Sequence, residues 1–65
     1  MKILVNGASR ETMAAELSGL LEELGVSGTV VATAVNGEFV AAAVRAQTSL
    51  SEGDRVEVLA PMQGG

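Results

Sequence analysis

Two Asn-Gly dipeptides, each set in an apolar run, constrain this 65-residue chain more than any other feature. They stand in Leu4-Val5-Asn6-Gly7 and in Ala34-Val35-Asn36-Gly37. Asn and Gly supply the two successive positive-φ positions of a type I′ turn, whose twist suits paired strands. The pattern predicts one hairpin from about Lys2 to Thr12 and a second from about Val30 to Val40. No further copy follows, so the two turns do not make a repeat architecture.

Between the hairpins the apolar period changes from two to about 3.6. Met13, Leu17, Leu20, Leu21 and Leu24 fall on one helical face, and Ser18, Glu22 and Glu23 fall opposite. Thr12 is the candidate N-cap, and Gly25 suits a left-handed C-cap. Gly19 falls on the solvent side of this wheel, where the pattern gives no reason for a glycine. Farther along, the alanines of Ala41 to Ala46 favour helix while Glu38-Phe39-Val40 favours strand. Ser49-Leu50-Ser51-Glu52 fits a capping box, and Gly53-Asp54 turns the chain. Arg55 to Leu59 alternates as a last strand, which Pro61 ends. One helix cannot cover both faces of such a sheet, so an α+β half-sandwich is expected, with the helix on one face. Residues 1–60 are expected to form this domain, and 61–65 a flexible C-terminal tail.

Alternation assigns the faces. Ile3, Val5, Leu17, Leu20, Leu21, Leu24, Val31, Val35, Leu50, Val56 and Val58 are the expected core. Period two then sends Leu4, Arg55, Glu57 and Leu59 to the open face, together with Ala32 and Ala34. Leu4, Ala32, Ala34 and Leu59 are expected to form an exposed apolar patch near the tail. With Met62, which core packing does not explain, they make the candidate partner-binding surface.

Composition removes most chemistries. Apolar residues make up 48% of the chain, enough for a folded globule rather than a disordered one. There is no cysteine and no histidine. Disulfides, thiolate nucleophiles, imidazole bases and nearly all zinc sites go with them, and no metal ligands are predicted. Phe39 is the single aromatic residue, so no platform exists for stacking bases. A net charge of −4 repels phosphate, which argues against nucleic acid and for a partner with a basic face. No phosphate-binding loop of the GxxxxGK[ST] type is present. Glu22-Glu23 reads as a solvated helix face and Glu52-x-Asp54 as turn chemistry, so no catalytic residue is assigned. The apolar run Phe39–Val44 is far shorter than the roughly 20 residues that span a bilayer. Asn6-Gly7 cuts short the signal-like opening Met1-Lys2-Ile3-Leu4-Val5. The expectation is a soluble cytoplasmic protein with no membrane partner.

That leaves Gln63-Gly64-Gly65. A glycine pair at a chain end can be an idle terminus. It can equally be an extended segment narrow enough to enter a channel with a reactive carboxylate at its tip.

Here the residues carry a resemblance. Val35-Asn36-Gly37-Glu38-Phe39-Val40, then Leu50-x-Glu52-Gly53-Asp54-Arg55-Val56-Glu57-Val58, then Gly64-Gly65 at the end resemble the bacterial thiamine sulfur-carrier (ThiS) family. Lys2-Ile3-x-Val5-Asn6-Gly7 and Leu20-Leu21-x-x-Leu24-Gly25 match as well. Two places depart from the family pattern. Ala41-Ala42 stands where a proline is usual, and Met13-Ala14-Ala15 replaces a Pro/Asp/Gly-rich turn.

The resemblance implies a ubiquitin-like β-grasp fold, with a mixed sheet of four to five strands and one main helix. It also implies a carrier rather than an enzyme. An adenylating partner, which itself holds ATP and magnesium, would activate the Gly65 carboxylate. A sulfur donor such as a cysteine desulfurase would convert it to a thiocarboxylate, and thiazole synthase would receive the sulfur. Gly64 is then the spacer. The alternatives are a sulfur carrier of another pathway, of the molybdopterin small-subunit type, or a β-grasp interaction module whose end is never modified.

Overall fold

The computed structural model describes residues 1–60; the expectations placed on 61–65, including Met62, Gln63, Gly64 and Gly65, lie outside the described residues. Five strands form: β1 (Lys2–Val5), β2 (Ala8–Glu11), β3 (Ala32–Val35), β4 (Glu38–Val40) and β5 (Arg55–Leu59). One helix, α1 (Leu17–Glu23), follows β2, and a 3₁₀ segment spans Ala42–Gln47. The strand order is β2-β1-β5-β3-β4. The last strand in sequence is therefore the central one in space. It runs parallel to β1, pairing Leu4 with Arg55 and Val5 with Val56, and antiparallel to β3. This mixed five-stranded sheet with one main helix is the expected β-grasp half-sandwich.

Both Asn-Gly turns form where predicted. Asn6 and Gly7 have φ of 51° and 84°, and Asn36 and Gly37 have 52° and 85°. Positive φ at both positions is what a type I′ turn requires. Gly25 also ends the helix as expected, with φ of 77°. Its N–H donates to the Glu22 carbonyl and that of Val26 to the Leu21 carbonyl, both at 3.0 Å, which is a Schellman closure.

The helix start differs from the sequence reading. Thr12 is not the N-cap, and Met13, placed on the apolar stripe, is 96% exposed. Helix α1 begins at Leu17, and Glu16 occupies the cap position with no side-chain bond. A second segment supplies what a cap would. The Leu17 N–H donates to the Thr48 carbonyl at 2.9 Å, and Leu50 N–H donates to Ala15 at 2.9 Å. Pairing with residues 48–50 thus fixes where the helix starts.

Thr12 is buried and has another task. Its hydroxyl accepts the Ala14 N–H at 3.0 Å and donates to Glu23 Oε1 at 2.7 Å. Glu23 Oε2 accepts the Met13 N–H at 3.0 Å, so the helix end holds the 12–14 loop. That loop also explains Gly19: a Cβ there would lie 3.3 Å from Ala14 Cβ. The position faces a close neighbour rather than solvent.

The core gathers Ile3, Leu17, Leu20, Leu50 and Val56, with Ala14 and Val40 added to the expected set. Val5, Leu24, Val35 and Val58 pack at its margin. Leu21 is buried beside the 3₁₀ segment, whereas Val31 is only half-buried and stands apart from the cluster. The expected capping box at Ser49–Glu52 does not form. Glu52 Oε1 accepts the Lys2 N–H at 3.1 Å, while Asp54 Oδ2 accepts the Ser51 N–H at 2.8 Å. Gly53, with φ of 84°, completes that turn.

Two predictions follow from these local arrangements. Ala41, at the first departure from the family pattern, has φ −68° and ψ 150°. Proline would fix the same φ, Val40 before it is extended, and no hydrogen bond from the Ala41 N–H occurs among the described residues. Ala41→Pro is expected to raise stability by about 0.4–1 kcal/mol in denaturant titration, by restricting the unfolded chain.

The second concerns acid. The Thr12 hydroxyl bond, assisted by the Met13 N–H and the Arg10 charge, holds the Glu23 carboxyl below its ordinary range against a partial desolvation. A depressed folded pKa gives stability that is present above the unfolded value, about 4.3, and is lost as pH falls through the lower folded one. Glu23→Gln should therefore melt below wild type at neutral pH. The gap in Tm should close as the pH is taken below about 4. A gap independent of pH would show that the charge is not what holds the loop.

Candidate functional site

The last strand, β5, leads toward the C-terminal residues, and its surroundings form the candidate site. That strand is held from both sides by the two turns. The Asn6 N–H donates to the Val56 carbonyl at 2.9 Å. Its carboxamide then continues the ladder: Nδ2 donates to the Val58 carbonyl at 3.0 Å, and Oδ1 accepts the Val58 N–H at 2.9 Å. Asn36 does the same at the other end. Its N–H donates to the Arg55 carbonyl at 2.7 Å, Oδ1 accepts the Arg55 N–H at 2.9 Å, and Nδ2 donates to Asp54 Oδ1 at 3.0 Å. Sequence reasoning used these residues only as turn formers. No sequence signal separates the two roles, because the turn alone already favours Asn.

The neighbouring strand is tied down from the helix side. Arg45, on the 3₁₀ segment, donates through Nε to Thr33 Oγ1 at 3.0 Å and through Nη2 to the Val31 carbonyl at 2.7 Å. Thr33 is buried, and its hydroxyl donates in turn to the Val40 carbonyl at 2.8 Å. A polar residue inside the sheet is thus fully partnered, and the strand beside Leu59 is held by a cation to which the sequence pattern gives no role.

The register places the expected surface residues on the open face, though not as one patch. Ala32 lies opposite Leu59, and Ala34 opposite Glu57. Phe39 pairs with Ala34 from β4 and joins them, 73% exposed. Leu59 is 63% exposed and lines an apolar groove with Val30, Val31, Ala32 and Ala60. Leu4 stands elsewhere. It is half-buried opposite Arg55, in a separate shallow depression that also includes Glu57. The charged pair on β5 divides Leu4 from Ala32, Ala34 and Leu59, so the expected contiguous patch is corrected to the latter three plus Phe39. Met62 lies outside the described residues.

Among the described residues no three acidic side chains are grouped to hold a metal ion. No described helix is long and apolar enough to cross a membrane. A wide depression around Met1, Thr12, Met13 and Leu50 lies at the opposite end of the sheet from Leu59.

Known proteins share this architecture. The sequence matches the ThiS family over residues 3–65. It is 38% identical over 66 residues to a thiazole synthase of Paramagnetospirillum magneticum; the alignment takes in all of this chain but spans only 20% of that protein. A crystal structure of the thiamine biosynthesis protein ThiS from Geobacter metallireducens superposes with a TM-score of 0.83 at 32% identity, each chain covered in full. A solution NMR structure of a thiamine biosynthesis protein from the same organism gives 0.80 at 32% identity, covering all of this chain and 88% of that one.

The exposure of Phe39 and Leu59 generates a prediction about the fold. Phe39→Ser and Leu59→Glu should each change unfolding free energy by no more than about 0.5 kcal/mol, the range of ordinary surface substitutions. A larger loss in denaturant titration would place either side chain in the core instead of on a free face.

Proposed function

The chain belongs to the ThiS family, and on that premise we propose that it is a sulfur carrier of thiamine biosynthesis whose cargo is held on the α-carboxylate of Gly65. The observation that carries this reading is the family match, which runs through Gly64-Gly65 on a fold whose central strand precedes them. The reading requires that carboxylate to be free.

The chemistry follows from the weakness of a carboxylate as an electrophile. A carboxylate oxygen attacks the α-phosphorus of ATP, pyrophosphate leaves, and an acyl-adenylate forms. Sulfur at the oxidation level of sulfide then attacks the acyl carbon, AMP departs with the oxygen, and a thiocarboxylate remains. This chain has no phosphate-binding loop, so an adenylating partner holds the ATP and magnesium. It also has no cysteine, so no thiol of its own competes for the acyl group or the sulfur. Glycine leaves the acyl carbon unhindered. The domain is a co-substrate rather than a catalyst, and it works in the cytoplasm with its sulfur donor, such as a cysteine desulfurase whose persulfide sulfur a thiol reductant brings to the sulfide level. That a thiazole synthase contains a segment 38% identical to the whole chain supports thiazole synthase as the receiver. Ala32, Ala34, Phe39 and Leu59 form the docking face beside the exit.

The test is intact mass after incubation of the chain ending at Gly65 with ATP, magnesium, the activating enzyme and a sulfur donor. The expected gain equals exchange of one oxygen for sulfur, mapped to the C-terminal peptide. Gly65→Ala should slow the conversion, extension beyond Gly65 should abolish it, and Leu59→Glu should weaken binding to the activating enzyme. No gain, with an activating enzyme shown to be competent on another carrier, would overturn the proposal in favour of an unmodified interaction module.

A further inference from the structure

We propose that the two Asn-Gly turns are sites of spontaneous succinimide formation which the central strand holds closed, and that Asn6 is the one that opens first. A glycine after asparagine has no Cβ to shield its backbone nitrogen. After giving up its proton to solvent, the Gly7 nitrogen bonds to Asn6 Cγ. Nδ2 takes a proton from solvent, the Cγ–Nδ2 bond breaks, and Nδ2 leaves as ammonia. Water then opens the ring at either carbonyl and leaves aspartate or isoaspartate. The same balance holds for Gly37 and Asn36.

In the folded chain neither carboxamide is free for this attack. Both polar atoms of Asn6 are engaged with Val58, and both of Asn36 with Arg55 and Asp54. Each ring closure must first break two hydrogen bonds.

The two locks differ in strength. Asn36 grips the start of β5, where the Asp54 carbonyl also accepts the Leu4 N–H at 2.9 Å and the Asp54 N–H closes a turn onto Ser51 at 3.0 Å. The Asp54 carboxylate that accepts from Asn36 Nδ2 makes that bond charge-assisted. Asn6 grips Val58, one residue from the end of β5, through neutral partners only. Strand ends open more readily than their fastened starts.

The consequence falls on the functional end. Conversion of Asn6 replaces a donor with a negative oxygen facing the Val58 carbonyl. Isoaspartate also lengthens the backbone within the turn. Either product loosens Val58 and the exit at Leu59.

The experiment incubates the full chain at mildly alkaline pH, in buffer and in denaturant, and follows amide-to-acid conversion by peptide mapping. In denaturant the two sites should convert at comparable rates. In buffer both should slow by about tenfold or more, the factor that two net hydrogen bonds carry together, with Asn6 ahead of Asn36. Equal rates in the two solvents, or Asn36 converting first in buffer, would overturn the proposal. A second arm compares Asn6→Asp with Asn36→Asp by amide hydrogen exchange. Asn6→Asp should speed exchange at Val58 and leave Arg55 as in wild type; an unchanged Val58 would refute the link to the strand end. The rate comparison uses only the unaltered chain, so it decides the question even where a variant fails to fold.

Discussion

Insertion of β5 between β1 and β3 is the constraint on which the rest of this small domain depends. Each hairpin is closed locally by its own turn, but a lone two-stranded hairpin is at best marginal in water. Neither acquires a second neighbour until the last strand arrives. Its arrival joins residues about fifty positions apart, such as Asn6 with Val58. It also buries Val56 against the helix layer. The local turns can therefore form early, while the docking that unites them is non-local and late.

Features governed by neighbours in sequence were legible in it. The type I′ turns, the Gly25 closure, the alternation of β5 and the two faces of the sheet all rest on residue type and period alone. The start of α1 was not legible, because Thr48 and Leu50 determine it from about thirty residues away. Met13 misled the helical wheel for the same reason. Its spacing from Leu17 is helical, but the chain there is spent on a loop captured by Glu23. The tertiary approach of Ala14 to Gly19 and the reach of Arg45 to Thr33 are likewise invisible to any window of adjacent residues.

The open face shows a subtler limit. Parity correctly turned Leu4, Ala32, Ala34 and Leu59 to one side, but parity says nothing about position along the strands. Register does: Leu4 sits level with Arg55 and Ala32 level with Leu59, four residues farther along β5. Phe39 receives no face from parity, because the alanines that follow it leave the course of the chain open between strand and helix. Its pairing with Ala34 through β4 makes it the largest apolar group beside that row.

The parallel pairing of β1 with β5 has a practical side. In an antiparallel neighbour the first residue of β1 would lie beside the exit of β5. Here Leu4 is level with Arg55, so Met1 lies behind the start of β5 and Leu59 ahead of it. At about 3.3 Å per residue the two are separated by roughly 20 Å of sheet. A fluorophore, affinity handle or surface tether attached at Met1 would thus leave the exit unobstructed, whereas the same attachment on the Asn6-Gly7 turn would sit beside it.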